Sequence, residues 1–194
     1  QLGYNQTLPV PCDFDGDGLN DVAVGGSENK APRKIYRNTS IGNVSGLTLA
    51  LDLGAQSGPL VNCKDLDGDG KPDLVATQTA SDAGADAIEL FLNTSSVGAI
   101  SFGTLIEIEV PTGAGGVVRP PARVEIQDVD NDGKPDLIIS NNQYNEVDIF
   151  LNKSTIGTLS FEHTAQLLIN SGQRARGLKV ADLNNDNLPD VAVV

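Results

Sequence analysis

The chain has 194 residues, and its 26 acidic and 13 basic side chains give a net charge of −13 at neutral pH. It has no basic patch and only 4% aromatic residues, which disfavours nucleic-acid binding. It also has no apolar stretch long enough to span a bilayer and no recognisable signal peptide. The acidity is local, because 15 of the 26 acids belong to one short repeated pattern and the rest of the chain is close to neutral.

A nine-residue acidic pattern occurs four times and defines what we call loops one to four. The copies lie at residues 13–21, 65–73, 128–136 and 182–190. Each has a carboxylate or a side-chain amide at positions 1, 3, 5 and 9. Ca²⁺ takes six to eight oxygen ligands, so alternate residues of a tight loop must turn inward to surround it. Position 6, where the chain must turn sharply, is Gly18, Gly70, Gly133 or Asn187.

The predicted calcium ligands are the side chains at positions 1, 3, 5 and 9 and, by analogy with EF-hand loops, the backbone carbonyl at position 7. In chain order they are Asp13, Asp15, Asp17, Leu19, Asp21, Asp65, Asp67, Asp69, Lys71, Asp73, Asp128, Asp130, Asp132, Lys134, Asp136, Asp182, Asn184, Asp186, Leu188 and Asp190. A single copy could be a polar turn without metal, but four copies favour up to four Ca²⁺ sites. Loop four is the weakest, because Asn184 replaces a carboxylate.

The predicted sites are structural rather than catalytic. No loop has the acid at position 12 that an EF-hand requires. Carboxylates that bind Ca²⁺ are unavailable as a general acid or base, so we expect no catalytic residue among them. An ion that binds only the folded protein stabilises it by mass action, and the sequence therefore predicts metal-dependent stability.

Strand patterns surround each loop in the same order. Apolar residues alternate before the first Asp, and a short apolar run such as 21–24 or 136–140 follows the loop. Each of the first three periods then has a run ending in Asn with a polar turn, and a further apolar stretch. Four strands in each period of 52 to 63 residues predict an all-β fold, a β-propeller of four-stranded antiparallel blades. Pro9 and Pro11 predict an edge or distorted first strand.

The chain resembles the FG-GAP or VCBS repeats of integrin α-subunit propellers and of many secreted bacterial proteins. The resemblance covers nearly all of the chain. It rests on the acidic loops in register, on the LFLNTS-type turn and on Ser-Phe at 101–102 and 160–161. The combination of LFLNTS, ISF and DLDGDGKPD is similar to surface proteins of the Bacteroidetes. The resemblance implies a propeller, usually of seven blades, with one Ca²⁺ between the first two strands of each blade that has the motif.

The strand patterns account for about three and a half blades in a single partial propeller domain. The repeats are predicted at approximately residues 7–54, 58–111, 121–170 and 175–194. The last apolar strand would leave an open edge, which favours pairing with another strand. We therefore expect further blades, from the same chain or another, to complete the ring.

Two cysteines precede the first two loops. Cys63 is interpreted either as a buried core thiol or as the partner of Cys12 in a disulfide between blades one and two.

Three Asn-x-Ser/Thr triplets, at Asn38, Asn93 and Asn152, recur at equivalent turns. This recurrence favours a role in the turn over glycosylation.

The remaining polar candidates are interpreted conservatively. His163 has no Ser or Cys motif nearby and is interpreted as a strand residue. The Gly-rich segment 112–116 lacks the features of a phosphate loop. Four arginines could line a channel mouth that contacts anionic sugars, although balancing the charge of the loops is favoured. They are Arg119, Arg123, Arg174 and Arg176.

The leading functional hypothesis is a non-enzymatic, calcium-stabilised extracellular module for adhesion, ligand binding or surface assembly. Its partner would be a protein or glycan at the cell surface, and the chain would be secreted or displayed there. One alternative is a lectin-type propeller that binds carbohydrate. Another is the propeller, or part of it, of a polysaccharide lyase.

Overall fold

The computed structural model describes residues 8–25, 31–55, 58–78, 87–111, 121–141, 146–168, 177–186 and 188–193. These residues form fourteen strands. They are β1 (Val10–Cys12), β2 (Asp21–Val24), β3 (Pro32–Asn38), β4 (Leu47–Ala55), β5 (Leu60–Lys64), β6 (Asp73–Gln78), β7 (Ala87–Phe91), β8 (Ile106–Glu109), β9 (Pro121–Gln127), β10 (Asp136–Asn141), β11 (Glu146–Asn152), β12 (Phe161–Leu168), β13 (Leu178–Ala181) and β14 (Asp190–Val193). No helix that could cross a membrane occurs in this part of the chain.

The strands form antiparallel sheets in which sequential strands are neighbours. Blade one contains β1 to β4, blade two β5 to β8 and blade three β9 to β12, and β13 pairs with β14 as half of a fourth blade. The all-β fold and the predicted three and a half propeller blades are therefore confirmed. Each acidic loop connects the first two strands of its blade, so that position 9 begins the second strand.

The second strands explain why the runs after the loops are apolar on both faces. In β6, Val75 packs towards blade three, whereas Leu74 and Ala76 pack towards blade one. In β10, Ile138 packs towards β13, on the opposite side from its two apolar neighbours in the strand. Successive side chains of a strand point to opposite faces, and here both faces meet another sheet.

The ends of the described array are less buried than its middle. The three-residue β1 lies at the edge of its sheet, as Pro9 and Pro11 predict, but β5 and β9 have the same edge position in their blades. All four residues of β14 are half-buried, whereas five of the six residues of β6 are fully buried. The difference arises because no other described sheet covers the outer face of β14.

The recurrent asparagine at the end of each third strand organises its own turn. The side-chain oxygens of Asn38, Asn93 and Asn152 accept the N–H of the residue two positions later at 2.8–3.0 Å. Asn93 and Asn152 are almost completely buried, with 1% and 0% exposure. The predicted structural role is thus observed at these turns, and burial is incompatible with glycosylation of those two side chains in the folded protein.

The same asparagines join successive blades. Asn93 Nδ2 donates to the carbonyl of Phe14 in loop one at 2.9 Å, and Asn152 Nδ2 donates to the carbonyl of Leu66 in loop two at 2.8 Å. Each also donates to a carbonyl in its own loop, at 3.0 and 2.9 Å. Within the described residues, the side chain of Asn38 in the first blade donates only to its own loop, at the carbonyl of Asn20. The third strand of one blade therefore holds the acidic loop of the preceding blade.

Two further contacts connect blades one and two. Cys12 and Cys63 form a disulfide with a Cα–Cα distance of 6.6 Å, so the interpretation of Cys63 as a free core thiol is wrong. Arg33 and Glu89 form a fully buried ion pair. Arg33 Nη2 also donates to the carbonyls of Gly58 and Thr77, at 2.9 and 2.8 Å. One side chain of blade one thus satisfies three acceptors of blade two and its entry segment.

The asparagine contacts predict unequal costs for the same substitution at equivalent turns. Asn152→Ala should lower the free energy of unfolding by about 2–4 kcal/mol, because it removes side-chain hydrogen bonds and leaves buried carbonyls without a donor. Asn38→Ala should cost about 1 kcal/mol, since this side chain bonds only within its blade. Urea unfolding of both variants measures the difference. Equal losses of unfolding free energy in the two variants would mean that the hydrogen bond from Asn152 to the preceding blade does not contribute to stability.

The buried ion pair predicts that a double substitution is milder than a single one. Arg33→Met should cost about 3–5 kcal/mol, because it leaves the carboxyl group of Glu89 buried without its cation. Burial raises the pKa of Glu89, and Arg33 acts against this rise. The double variant Arg33→Met with Glu89→Met should recover part of the loss in thermal or urea unfolding. A double variant as unstable as Arg33→Met would contradict this account.

Candidate metal centre

The aspartate at position 9 fixes each loop to the sheet. Its Oδ2 accepts the N–H of loop position 2 in all four loops, at 2.8–3.0 Å. In loops one to three its Oδ1 accepts the N–H of the third-strand asparagine at 2.8 Å. Asp21, Asp73 and Asp136 are at most 1% exposed. Two backbone donors thus orient each of these buried carboxylates.

The carboxylates at positions 1, 3 and 5 accept N–H groups of their own loop. Asp65 Oδ1 accepts the N–H of Gly68 at 2.8 Å, and Asp65 Oδ2 accepts that of Gly70 at 2.9 Å. Asp67 and Asp69 each accept the N–H two residues further on, at 3.0 and 2.8 Å. The loop backbone therefore wraps around its own acidic side chains, which explains why Asp is used at alternate positions.

Two positions of the loop adopt left-handed backbone conformations, whereas a sharp turn was predicted only at position 6. Position 4 is Gly16, Gly68, Asn131 or Asn185, with φ between 60° and 82°. Position 6 has φ of 86° or 87° in loops one to three, and Asn187 of loop four lies outside the described residues. A Cβ atom added at these glycines of loops one to three would meet nothing within 4 Å. The positive φ, rather than a lack of space, therefore explains why these residues are glycine. The turn at position 4 could have been predicted from the sequence, because this position is Gly or Asn in every copy.

In three loops the structure places carboxylates at a separation suitable for one cation. In each group, one carboxylate oxygen from each of the three residues lies within 4.8 Å of the other two. The groups are Asp13, Asp15 and Asp17 in loop one, Asp65, Asp67 and Asp73 in loop two, and Asp128, Asp130 and Asp136 in loop three. Oxygens on opposite sides of a Ca²⁺ ion are about 5 Å apart, since each bond is roughly 2.3–2.6 Å. The donor set contains only hard oxygen ligands and fits Ca²⁺.

Loop three provides a further observation that fits a cation. Asp128 Oδ1 is buried and has no hydrogen-bond donor, although Oδ2 of the same carboxylate accepts the N–H of Gly133 at 2.9 Å. Buried polar atoms nearly always have a partner. A metal ion held by Asp128, Asp130 and Asp136 would supply the missing partner for this oxygen.

Burial and mutual repulsion perturb the acids of these loops. Burial raises the pKa of Asp73 to about 6, against two backbone N–H donors, and the charges of Asp67 and Asp65 raise it further. Burial likewise raises the pKa values of Asp21 and Asp136. Burial also acts to raise the pKa of Asp15, but Arg37 and the N–H of Gly98 outweigh it and lower the value. A cation would stabilise the ionised form of every group in the cluster.

Loop four differs from the other three. Asn184 Nδ2 donates to Asp186 Oδ2 at 3.0 Å, so the amide points a donor at a predicted ligand. Within the described residues, no group of three carboxylates comparable to those of loops one to three forms in loop four. This is consistent with the expected weakness of the site. The carbonyl ligands predicted at position 7 of all four loops remain a prediction.

The other polar candidates have ordinary structural surroundings or lie elsewhere. His163 Nε2 is 3.0 Å from Asp148 Oδ1, and its ring lies 4.9 Å from that of Phe150. Arg123 lies on β9 and has an interaction partner. Arg119, Arg174, Arg176 and the segment 112–116 lie outside the described residues.

Comparisons with known proteins agree with this geometry. The FG-GAP-like repeat family matches residues 13–76 and 128–193. Rhamnogalacturonan lyase PL11 of Bacillus licheniformis has a similar structure, with a TM-score of 0.59 and 16% identity over 96% of this chain and 39% of the lyase. The exotype rhamnogalacturonan lyase YesX is also similar, with a TM-score of 0.57 and 18% identity over 97% of this chain and 38% of that protein. No curated protein matches the chain significantly.

The family match and the structural likeness differ in what they establish. At below 25% identity, the two lyases show a shared fold, and the chain spans about two fifths of their length. The family match includes all four acidic loops, three of which have the carboxylate groups described above. The chain belongs to the FG-GAP-like repeat family.

Proposed function

We propose that the chain is a calcium-stabilised β-propeller module whose metal sites are structural. The observation that carries this proposal is the double use of the position-9 aspartates. In loops one to three each is buried and accepts two backbone N–H groups, one from its loop and one from the asparagine that follows the third strand or ends it. Such a carboxylate is held in place by the fold and is not free to transfer protons to a substrate.

Asp13, Asp15, Asp17, Asp21 and their counterparts in the other loops would hold the ions. Calcium would supply positive charge to carboxylate clusters that otherwise repel one another. It would fix the hairpin between the first two strands of each blade, and therefore the segment to which the next blade is attached through Asn93 or Asn152.

We infer that the rigid array serves adhesion, ligand binding or surface assembly outside the cell. The disulfide between Cys12 and Cys63 supports an oxidising compartment, because such bonds are rare in the reducing cytosol. Extracellular calcium modules commonly bind in the 10⁻⁴–10⁻³ M range, which suits weak acidic loops. The partner would be a protein or glycan at the cell surface. Blades from the same or another chain would complete the ring.

A second candidate is the propeller of a polysaccharide lyase, with a carbohydrate-binding propeller as a related alternative. The likeness to two rhamnogalacturonan lyases over nearly the whole of this chain supports this candidate. Incubation with rhamnogalacturonan separates the hypotheses. Unsaturated sugar products would establish lyase activity, binding on a glycan array without products would favour a lectin, and neither would favour a protein partner.

The calcium proposal predicts a loss of stability on chelation. Each site with Ca²⁺ at 100 times its dissociation constant adds about 2.7 kcal/mol to the free energy of unfolding, so EDTA should lower the melting temperature substantially. Restoring Ca²⁺ in excess should reverse the change, and Mg²⁺ should do so poorly because it prefers a smaller octahedral shell. Thermal unfolding in the three conditions tests this. A melting temperature indifferent to EDTA would refute the calcium sites.

The raised pKa of Asp73 predicts an unusual pH dependence of the metal-free protein. Its folded-state pKa of about 6 lies above the ordinary value of 3.8, so the folded protein binds this proton more tightly than the unfolded chain. The stabilisation of the folded protein by protonated Asp73 is complete below pH 3.8 and is lost as the pH rises through about 6. In EDTA, the free energy of unfolding from urea titrations should therefore increase by about 1–3 kcal/mol between pH 7 and pH 5.

Calcium provides the control for this pH dependence. Saturating Ca²⁺ keeps the carboxylates ionised, so the increase towards pH 5 should disappear, and the affinity for Ca²⁺ should fall as protons compete for Asp73. Identical pH profiles with EDTA and with Ca²⁺ would show that the metal does not bind at these acids.

A further inference from the structure

Loop one contains a basic side chain within its acidic cluster. Arg37, near the end of β3, donates from Nε to Asp15 Oδ2 at 2.5 Å and from Nη2 to Asp17 Oδ2 at 2.7 Å. The side chain of Arg37 is 26% exposed, and those of Asp15 and Asp17 are 0% and 13% exposed. The guanidinium therefore bridges positions 3 and 5 of the loop in a partly buried setting, and hydrogen bonds between charged groups are stronger than neutral ones.

The equivalent residue in blades two and three is apolar. Arg37 directly precedes Asn38, whereas Leu92 precedes Asn93 and Leu151 precedes Asn152. The three asparagines are equivalent, because the N–H of each donates at 2.8 Å to the position-9 aspartate of its own blade. A leucine cannot donate to the loop, so the bridge is specific to loop one within the described part of the chain.

The lysines near the other loops do not bridge acids in the same way. Lys71 Nζ lies 3.6 Å from the single carboxylate of Asp69 and is itself 43% exposed. Lys134 Nζ donates to the carbonyl of Ser154 at 2.8 Å. The grouping of the acids differs as well. In loop one the three clustered carboxylates are at positions 1, 3 and 5, whereas in loops two and three they are at positions 1, 3 and 9.

The bridge is also connected to the next blade. Asp15 Oδ2, which accepts from Arg37, also accepts the N–H of Gly98 in the turn of blade two at 2.9 Å. Asp67 Oδ2 accepts the corresponding hydrogen bond from the N–H of Gly157 in blade three at 2.6 Å. Within the described residues, it has no basic side chain as a second donor. Arg37 thus holds the carboxylate through which loop one contacts blade two.

We propose that Arg37 acts as a built-in cation for loop one, so that this loop keeps its structure without metal and binds Ca²⁺ more weakly than loops two and three. The inference rests on the proposal that these loops bind calcium. The guanidinium neutralises part of the loop's charge and occupies one carboxylate oxygen of Asp15 and one of Asp17, which are two of the predicted ligands. Since ligand charge tunes the affinity of calcium loops, we expect a difference of about tenfold or more in the dissociation constant.

Reciprocal substitutions test the proposal by isothermal titration calorimetry with Ca²⁺ on the whole chain. Arg37→Leu gives loop one the residue of blade two and should tighten the weak site about tenfold. Leu92→Arg gives loop two the residue of blade one and should weaken one tight site to a similar extent. Lys34→Leu is the control, because Lys34 is also a cation of β3 but lies 3.9 Å from Asp52. It should leave every affinity unchanged.

Hydrogen exchange in EDTA provides a second readout for individual loops. The N–H groups of Gly16 and Gly18, which donate to Asp13, should stay protected in the unsubstituted protein. Those of Gly68 and Gly70, which donate to Asp65, should lose protection because no cation replaces the metal. In Arg37→Leu, the first pair should lose protection as well. If this variant does not fold, Leu92→Arg provides the test, since it should restore protection of Gly68 and Gly70 in EDTA.

The outcomes separate the two proposals. Ca²⁺ binding with affinities unchanged by both reciprocal substitutions, or equal loss of protection in loops one and two, would overturn the role of Arg37 and leave the calcium sites intact. The absence of any heat of Ca²⁺ binding in the unsubstituted protein and both variants would overturn the proposed function and this inference together.

Discussion

The fold depends on the buried aspartate at position 9 of the first three acidic loops. In loops one to three, one of its oxygens orients the start of the loop and the other binds the N–H at the end of the third strand. A hydroxyl or an amide could not accept two such N–H donors through two equivalent oxygens. Because the carboxylate is fully dehydrated at Asp21 and Asp73, its charge must be compensated locally. The two backbone N–H donors supply part of that compensation, and a cation held by the neighbouring acids would supply more.

The loops also provide hydrogen-bond acceptors through which successive blades are joined. The carbonyl at position 2 and the carboxylate at position 3 of loop one accept donors from Asn93 and Gly98 of blade two. The same pair of contacts joins loop two to Asn152 and Gly157 of blade three. A change in the loop would therefore alter both the hairpin of its own blade and the position of the next. A cation bound in such a loop would therefore stabilise two blades at once.

The sequence was informative where the signal was local and repeated. Loop spacing, strand alternation and the recurrent asparagine predicted the sheets, the turns and the acidic clusters, because each is determined within a few residues. Contacts between blades were harder to predict. Arg33 and Glu89 are 56 residues apart, and nothing in their neighbourhoods shows that the two side chains meet in the core. Cys12 and Cys63 could be assigned only as alternatives, because pairing depends on a Cα separation that the sequence does not contain.

Arg37 shows what a comparison of the repeats in the sequence cannot predict. Aligning the blades shows that it replaces a leucine, but alignment alone does not show whether the side chain faces solvent, the core or the loop. In the structure its guanidinium reaches Asp15 and Asp17. Blades one and two are thus joined by a disulfide, a buried ion pair and an arginine-bridged loop, none of which requires a metal ion. The described contacts between blades two and three rely on apolar packing and on loop two, whose clustered acids have no bridging arginine. Repeats that are alike in backbone therefore differ in how their charge is balanced, and under the proposed function this difference would concentrate the need for calcium in the second and third blades.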